Sequence, residues 1–90
     1  MFKNLEELIS VIRQRKKSPT EKSYTNKLLN NKKLSVEKVK EEIAELIDAI
    51  KKDTNKVHEA ADVLYHLMVL LEANGIKIED VMNELKNRQK

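Results

Sequence analysis

The sequence predicts an all-α fold, and three observations carry the prediction. One glycine and one proline in 90 residues leave almost no material for β-turns, so hairpins, sandwiches and glycine-rich phosphate loops have no basis here. The apolar residues recur at helical spacing along nearly the whole chain. The length allows one compact domain, residues 1–90, with a hydrophobic fraction of 40% to fill its core. A helical chain this short buries only about 60–65% of its unfolded surface. The expected architecture is therefore a bundle of about five helices completed by homodimerisation.

Each element has its own warrant. Leu5, Leu8, Ile9 and Ile12 keep the i, i+3, i+4, i+7 pattern and predict a first helix from about Asn4 to Arg15, ended by Pro19. A short helix follows from about Tyr24 to Asn30. Ser35 is a capping residue for a longer helix whose apolar stripe is Val39, Ile43, Leu46, Ile47 and Ile50, with Asp53 and Thr54 in the turn. The fourth helix runs from about Asn55 to Asn74, stopped by Gly75, and Ile76, Ile78, Val81, Met82 and Leu85 pattern the last.

Composition excludes several functions. The absence of cysteine removes disulfides, thiolate zinc sites, iron–sulfur clusters and a cysteine nucleophile. The longest apolar run, Leu67 to Leu71, is too short to span a membrane, and the charged amino terminus is not a signal peptide, which predicts a cytoplasmic protein. The net charge of +3 conceals two blocks. From Ile12 to Lys40 ten basic residues face Glu21 and Glu37, whereas from Glu41 to Asp62 seven acidic residues face three lysines. Tyr24 is the only aromatic residue in the basic block, so the stacking platform of a nucleic-acid binder is missing. The plain reading is a solvated basic surface, and the sharper one is a small polyanion such as a nucleotide, its phosphates toward the lysines and its metal toward the acids.

The acids are spaced in pairs. Glu42 and Glu45 lie about 60° apart on the third helix, and Glu59 and Asp62 repeat the i, i+3 spacing on the fourth, with His66 next on the same strip. Around that strip the fourth helix is apolar from Ala60 to Leu71, which predicts a central, buried position. Four carboxylates projected into one space repel one another and raise their own pKa values unless a cation is present. Oxygen ligands without cysteine point to Mg²⁺, or Mn²⁺ as a substitute, held by Glu42, Glu45, Glu59 and Asp62.

The string EEIAE at Glu41–Glu45, thirteen further residues and then EAAD at Glu59–Asp62 resemble the EExxE…ExxD signature of the MazG-like all-α nucleotide pyrophosphohydrolases. Within that superfamily LEELISVIRQRK, SYTNKLL from Ser23 and EAADVLYHLMVLLEANGI from Glu59 resemble phosphoribosyl-ATP pyrophosphohydrolase, the second enzyme of histidine biosynthesis. Lys40 stands where that family usually has glycine, and Ile43 where a small alanine is common. The resemblance implies hydrolysis of phosphoribosyl-ATP between its α and β phosphates, giving phosphoribosyl-AMP and pyrophosphate. Mg²⁺ would neutralise charge on the leaving pyrophosphate and lower the pKa of a water attacking in line. It also implies a role for Glu41 as an outer base or water orienter, and for Ser23, Tyr24, Thr25, Lys27 and Lys38 as substrate contacts.

Plainer readings stand beside these. His66 reads as a structural partner bonded to a carboxylate, and Tyr24 and Tyr65 as packing residues with satisfied hydroxyls. The rivals to the whole assignment are a pyrophosphohydrolase of other nucleoside triphosphates and a non-catalytic helical dimer whose acids hold a structural ion or a partner.

Overall fold

The computed structural model describes residues 2–19 and 23–89. Glu21 and Lys22, which enter the charge count of the basic block, lie outside them. Among the described residues five helices follow one another: α1 (Lys3–Lys17), α2 (Tyr24–Leu29), α3 (Lys32–Lys52), α4 (Lys56–Ala73) and α5 (Ile78–Arg88). The described residues contain no strand, and no helix among them is long and apolar enough to cross a membrane.

The centre of the fold is the hairpin of α3 and α4, which pack on each other more extensively than any other pair. Only Asp53, Thr54 and Asn55 separate them, so the two helices run antiparallel. Asp53 makes this sharp reversal in the left-handed region at φ 55°, letting the Thr54 amide donate to the Ala49 carbonyl at 3.0 Å. The end of α4 uses the same device with the residue best suited to it. Gly75 sits at φ +70°, its amide donates to the Glu72 carbonyl, and the Ile76 amide donates to the Leu71 carbonyl at 2.9 Å.

Helices α1 and α2 lie across α4 and close the core. Ile12, Leu28, Met68 and Val69 form its buried centre, with Leu5, Leu8, Ile9, Leu71 and Ile78 packed around it. Polar ties fix the geometry. The Asn26 side chain donates to the Arg15 carbonyl at 2.7 Å, joining α2 to α1. Arg13 reaches from α1 to both Glu72 of α4 and Glu79 of α5, with a bidentate bond to Glu79 that includes a 2.9 Å contact. That guanidinium holds the Glu79 carboxyl down at about 2.

Three sequence expectations are corrected. Helix α3 starts before Ser35, because Asn31 supplies the cap by accepting from the Leu34 amide at 3.0 Å, and Ser35 is buried within the helix. Ile76 belongs to the turn that ends α4, and α5 begins at Ile78. The expected apolar stripe of α3 divides: Val39 is buried with Ala49, whereas Ile43, Ile47 and Ile50 face outward. Helix α4 likewise leaves Ala61 and Leu64 exposed, so one face of the central hairpin stays apolar and open.

Candidate active site

The antiparallel hairpin brings the paired acids together. Carboxylate oxygens of Glu42 and Glu45 on α3 and of Glu59 on α4 lie within 4.8 Å of one another. Asp62 is outside this triad and joins Glu59 in a second group with His58, its oxygens also within 4.8 Å of the imidazole. The four acids expected to share a ligand thus form two overlapping groups with Glu59 in common.

The electrostatics of the triad are unfavourable as they stand. Glu42 is only 8% exposed. Burial pushes its pKa up, and the adjacent Glu45 adds to the rise. Burial raises Glu59 as well, again with Glu45 beside it. One oxygen of each, Oε2 of Glu42 and Oε2 of Glu59, is buried with no hydrogen-bond partner. Unpartnered carboxylate oxygens converging from two helices are what a hard divalent cation requires, so the donor set fits Mg²⁺. A shallow groove lined by Glu45, Asp48, Thr54, Asn55 and Glu59 opens beside the triad.

Glu41 takes no part in either group. It is exposed and pairs with Lys38 one helical turn earlier at 3.3 Å. Lys38 lies within electrostatic range of both Tyr24 and Glu42, so this expected phosphate contact borders the acids. Ser23 caps α2 by accepting from the Asn26 amide at 3.3 Å. Lys27 is exposed on α2. Thr25 hydrogen-bonds the Tyr65 hydroxyl.

Tyr24 is tied to α4 through His66. The imidazole Nδ1 lies 2.8 Å from the Asp62 carbonyl, which can only accept. Nδ1 therefore carries a proton, and Nε2 lies 3.0 Å from the Tyr24 hydroxyl and is hydrogen-bonded to it. Burial pushes the Tyr24 phenol up, which keeps it a donor. Tyr24 and Tyr65 stack at 6.3 Å and His66 meets both edge-on. The expectation that His66 bonds a carboxylate is corrected: its partners are a backbone carbonyl and a phenol. His58, absent from the expected site, stands i, i+4 from Asp62, the spacing in the sequence that puts it beside this acid.

A helical fold whose central hairpin gathers carboxylates from two facing helices defines an all-α protein with an acidic cluster of a kind that could hold a metal ion. The family model described as phosphoribosyl-ATP pyrophosphohydrolase matches residues 5–89, and the chain belongs to that family. It is 43% identical over 91 residues to the phosphoribosyl-ATP pyrophosphatase of Methanoculleus marisnigri, covering 96% of this chain and 94% of the relative. The phosphoribosyl-ATP pyrophosphatase of Methanocella arvoryzae is also 43% identical over 91 residues, covering 96% of each. A third relative, the histidine biosynthesis bifunctional protein HisIE of Pyrococcus furiosus, is 44% identical over 87 residues, but the match spans only 41% of its length.

Proposed function

We propose that this chain hydrolyses phosphoribosyl-ATP to phosphoribosyl-AMP and pyrophosphate, with Glu42, Glu45, Glu59 and Asp62 as the Mg²⁺-holding carboxylates. The observation that carries this reading is the convergence of buried, unpartnered oxygens of Glu42 and Glu59 in a chain of this family. Mg²⁺, when bound, supplies positive charge against the phosphate oxygens and acidifies water. The residues of the chain divide the remaining work. The carboxylates hold the cation where α3 and α4 face each other, and Lys38 brings a cation to the edge of the same region for a phosphate oxygen. Glu41 tethers Lys38 and is better suited to positioning that lysine than to acting as a base. Tyr24 and Thr25 are fixed by bonds to His66 and Tyr65, so their side chains border the substrate without reorganising. Ser23 and Lys27 complete the proposed substrate contacts at the start of α2.

In this reading residues 1–90 act as one domain in the cytoplasm, as a homodimer with no nucleic-acid or membrane partner. The outward apolar face of Ile43, Ile47, Ile50 and Leu64 is the proposed dimer surface. The test is pyrophosphate release in Mg²⁺ from phosphoribosyl-ATP beside a panel of nucleoside triphosphates, with a chelator control. The expected result is preference for phosphoribosyl-ATP, abolished by chelator and lowered at least about a hundredfold in Glu42→Gln. Preference for another triphosphate would move the activity to a different substrate, and no release from any would leave a non-catalytic helical module.

A further inference from the structure

We propose that His66 is a positioning residue of the site: bonded to the Asp62 backbone on one side and to the Tyr24 hydroxyl on the other, it sets the half-exposed ring of Tyr24 against the acids for the substrate to meet. The inference rests on the nucleotide reading above and deepens it. His66 is a buried polar group, 7% exposed, on the most apolar helix of the fold, and the hydrolysis itself gives it no direct part. Both of its ring nitrogens are engaged. Nδ1 donates to the Asp62 carbonyl at 2.8 Å, and Nε2 meets the Tyr24 hydroxyl at 3.0 Å. A histidine kept for packing alone is satisfied by any two polar neighbours. This one joins the backbone of a proposed cation ligand on α4 to a proposed substrate contact on α2.

The surroundings of Tyr24 give that tie its use. Its side chain is held at the hydroxyl yet 45% exposed, so part of the ring is open to a ligand. Tyr24 lies within electrostatic range of both Lys38 and Glu42, and Glu42 within range of His66. Stacking on Tyr65 at 6.3 Å and the edge-on contact with His66 at 5.8 Å fix the tilt of the ring as well.

Helix α2 has only six residues, too few to hold its own conformation, so its placement depends on what it touches. Leu28 in the core and the Asn26 bond to α1 anchor its later residues. Its first two, Tyr24 and Thr25, are tied to two consecutive residues of α4, His66 and Tyr65. Without the bond to His66, the Tyr24 side chain regains rotamer freedom that it must surrender again when substrate binds. Ordering one such side chain costs about three- to tenfold in affinity.

The test uses two assays, Mg²⁺-dependent hydrolysis of phosphoribosyl-ATP and calorimetric binding of phosphoribosyl-AMP, which needs no turnover. His66→Phe keeps a ring but no nitrogen, and Tyr24→Phe removes only the hydroxyl. Each should raise KM and weaken phosphoribosyl-AMP binding about three- to tenfold, the larger change falling in KM rather than in kcat. The double variant should be no worse than either single, because both delete the same bond. His66→Gln, whose amide reaches the place of Nε2, should recover most of the loss. Original KM and product affinity in both single variants, or effects that multiply in the double, would overturn the positioning role and leave the functional reading standing. Should His66→Phe fail to fold, Tyr24→Phe decides alone, and original KM and product affinity in it would overturn the role. An unaltered chain that neither hydrolyses phosphoribosyl-ATP nor binds phosphoribosyl-AMP would overturn both.

Discussion

Glu42 shows what a single residue costs the fold and gives the site. A carboxylate at that depth, with one oxygen unpartnered and Glu45 beside it, is more easily protonated than in the unfolded chain. Glu59 shares the condition. The sign of the pH dependence follows. Because both folded pKa values lie above the ordinary 4.5, the metal-free fold binds more protons than the unfolded chain, and its stability falls as pH rises from that value toward neutrality. The opposite case, Glu79, does not interfere: held near 2 by Arg13, its contribution is present above 4.5 and is lost only as pH drops toward 2. Urea unfolding of chelated protein should therefore give greater stability near pH 5 than near pH 7. Glu42→Gln should flatten that difference, and saturating Mg²⁺ should reverse it. A metal-free chain more stable near pH 7, with the same slope in the variant, would contradict this account of the site.

At the scale of the element, the termini separate what the sequence carries plainly from what it does not. The positions of α1 and α4 were legible from apolar spacing together with Pro19 and Gly75. The start of α3 was not, because Asn31 and Ser35 are both good capping residues and the intervening lysines carry no apolar period to choose between them. Ile76 misled for a different reason. An apolar residue just past a left-handed glycine packs back on the helix it ends, and Ile76 lines the same small cavity as Leu71. Gly75 can be tested in isolation: a Cβ built there meets nothing within 4 Å, so the cost of Gly75→Ala is that of the left-handed backbone alone. The expected loss is about 1 kcal/mol in denaturant unfolding, with no change in metal affinity. A loss near zero would mean that the turn relaxes to another conformation.

Across the whole molecule, the candidate site was more legible than the faces of the helices that carry it. The i, i+3 carboxylates required only helical spacing, and the hairpin did bring Glu42, Glu45 and Glu59 together. Which apolar stripe of α3 turns inward could not be read, since Val39 and Ala49 on one side and Ile43, Ile47 and Ile50 on another are equally apolar. In the fold the second set faces out, alongside Leu64 and the 86% exposed Val57 of the α4 half of the hairpin. Isolated exposed apolar residues are ordinary, but side chains recurring at i, i+4 and i+7 along one helix make a continuous surface of the kind that pairs subunits. Among the described residues the largest fully buried apolar side chains are Ile12, Leu28 and Val69, a small core. Covering the hairpin face with a second copy would add apolar burial where the carboxylates repel, offsetting the strain of the metal-free site. Sedimentation at micromolar concentration should therefore show a dimer, and Ile47→Glu should yield a monomer that unfolds at lower denaturant because it loses the partner's support. A monomeric unaltered chain would overturn the proposed dimer, and a variant as dimeric as the original would place the interface on another face.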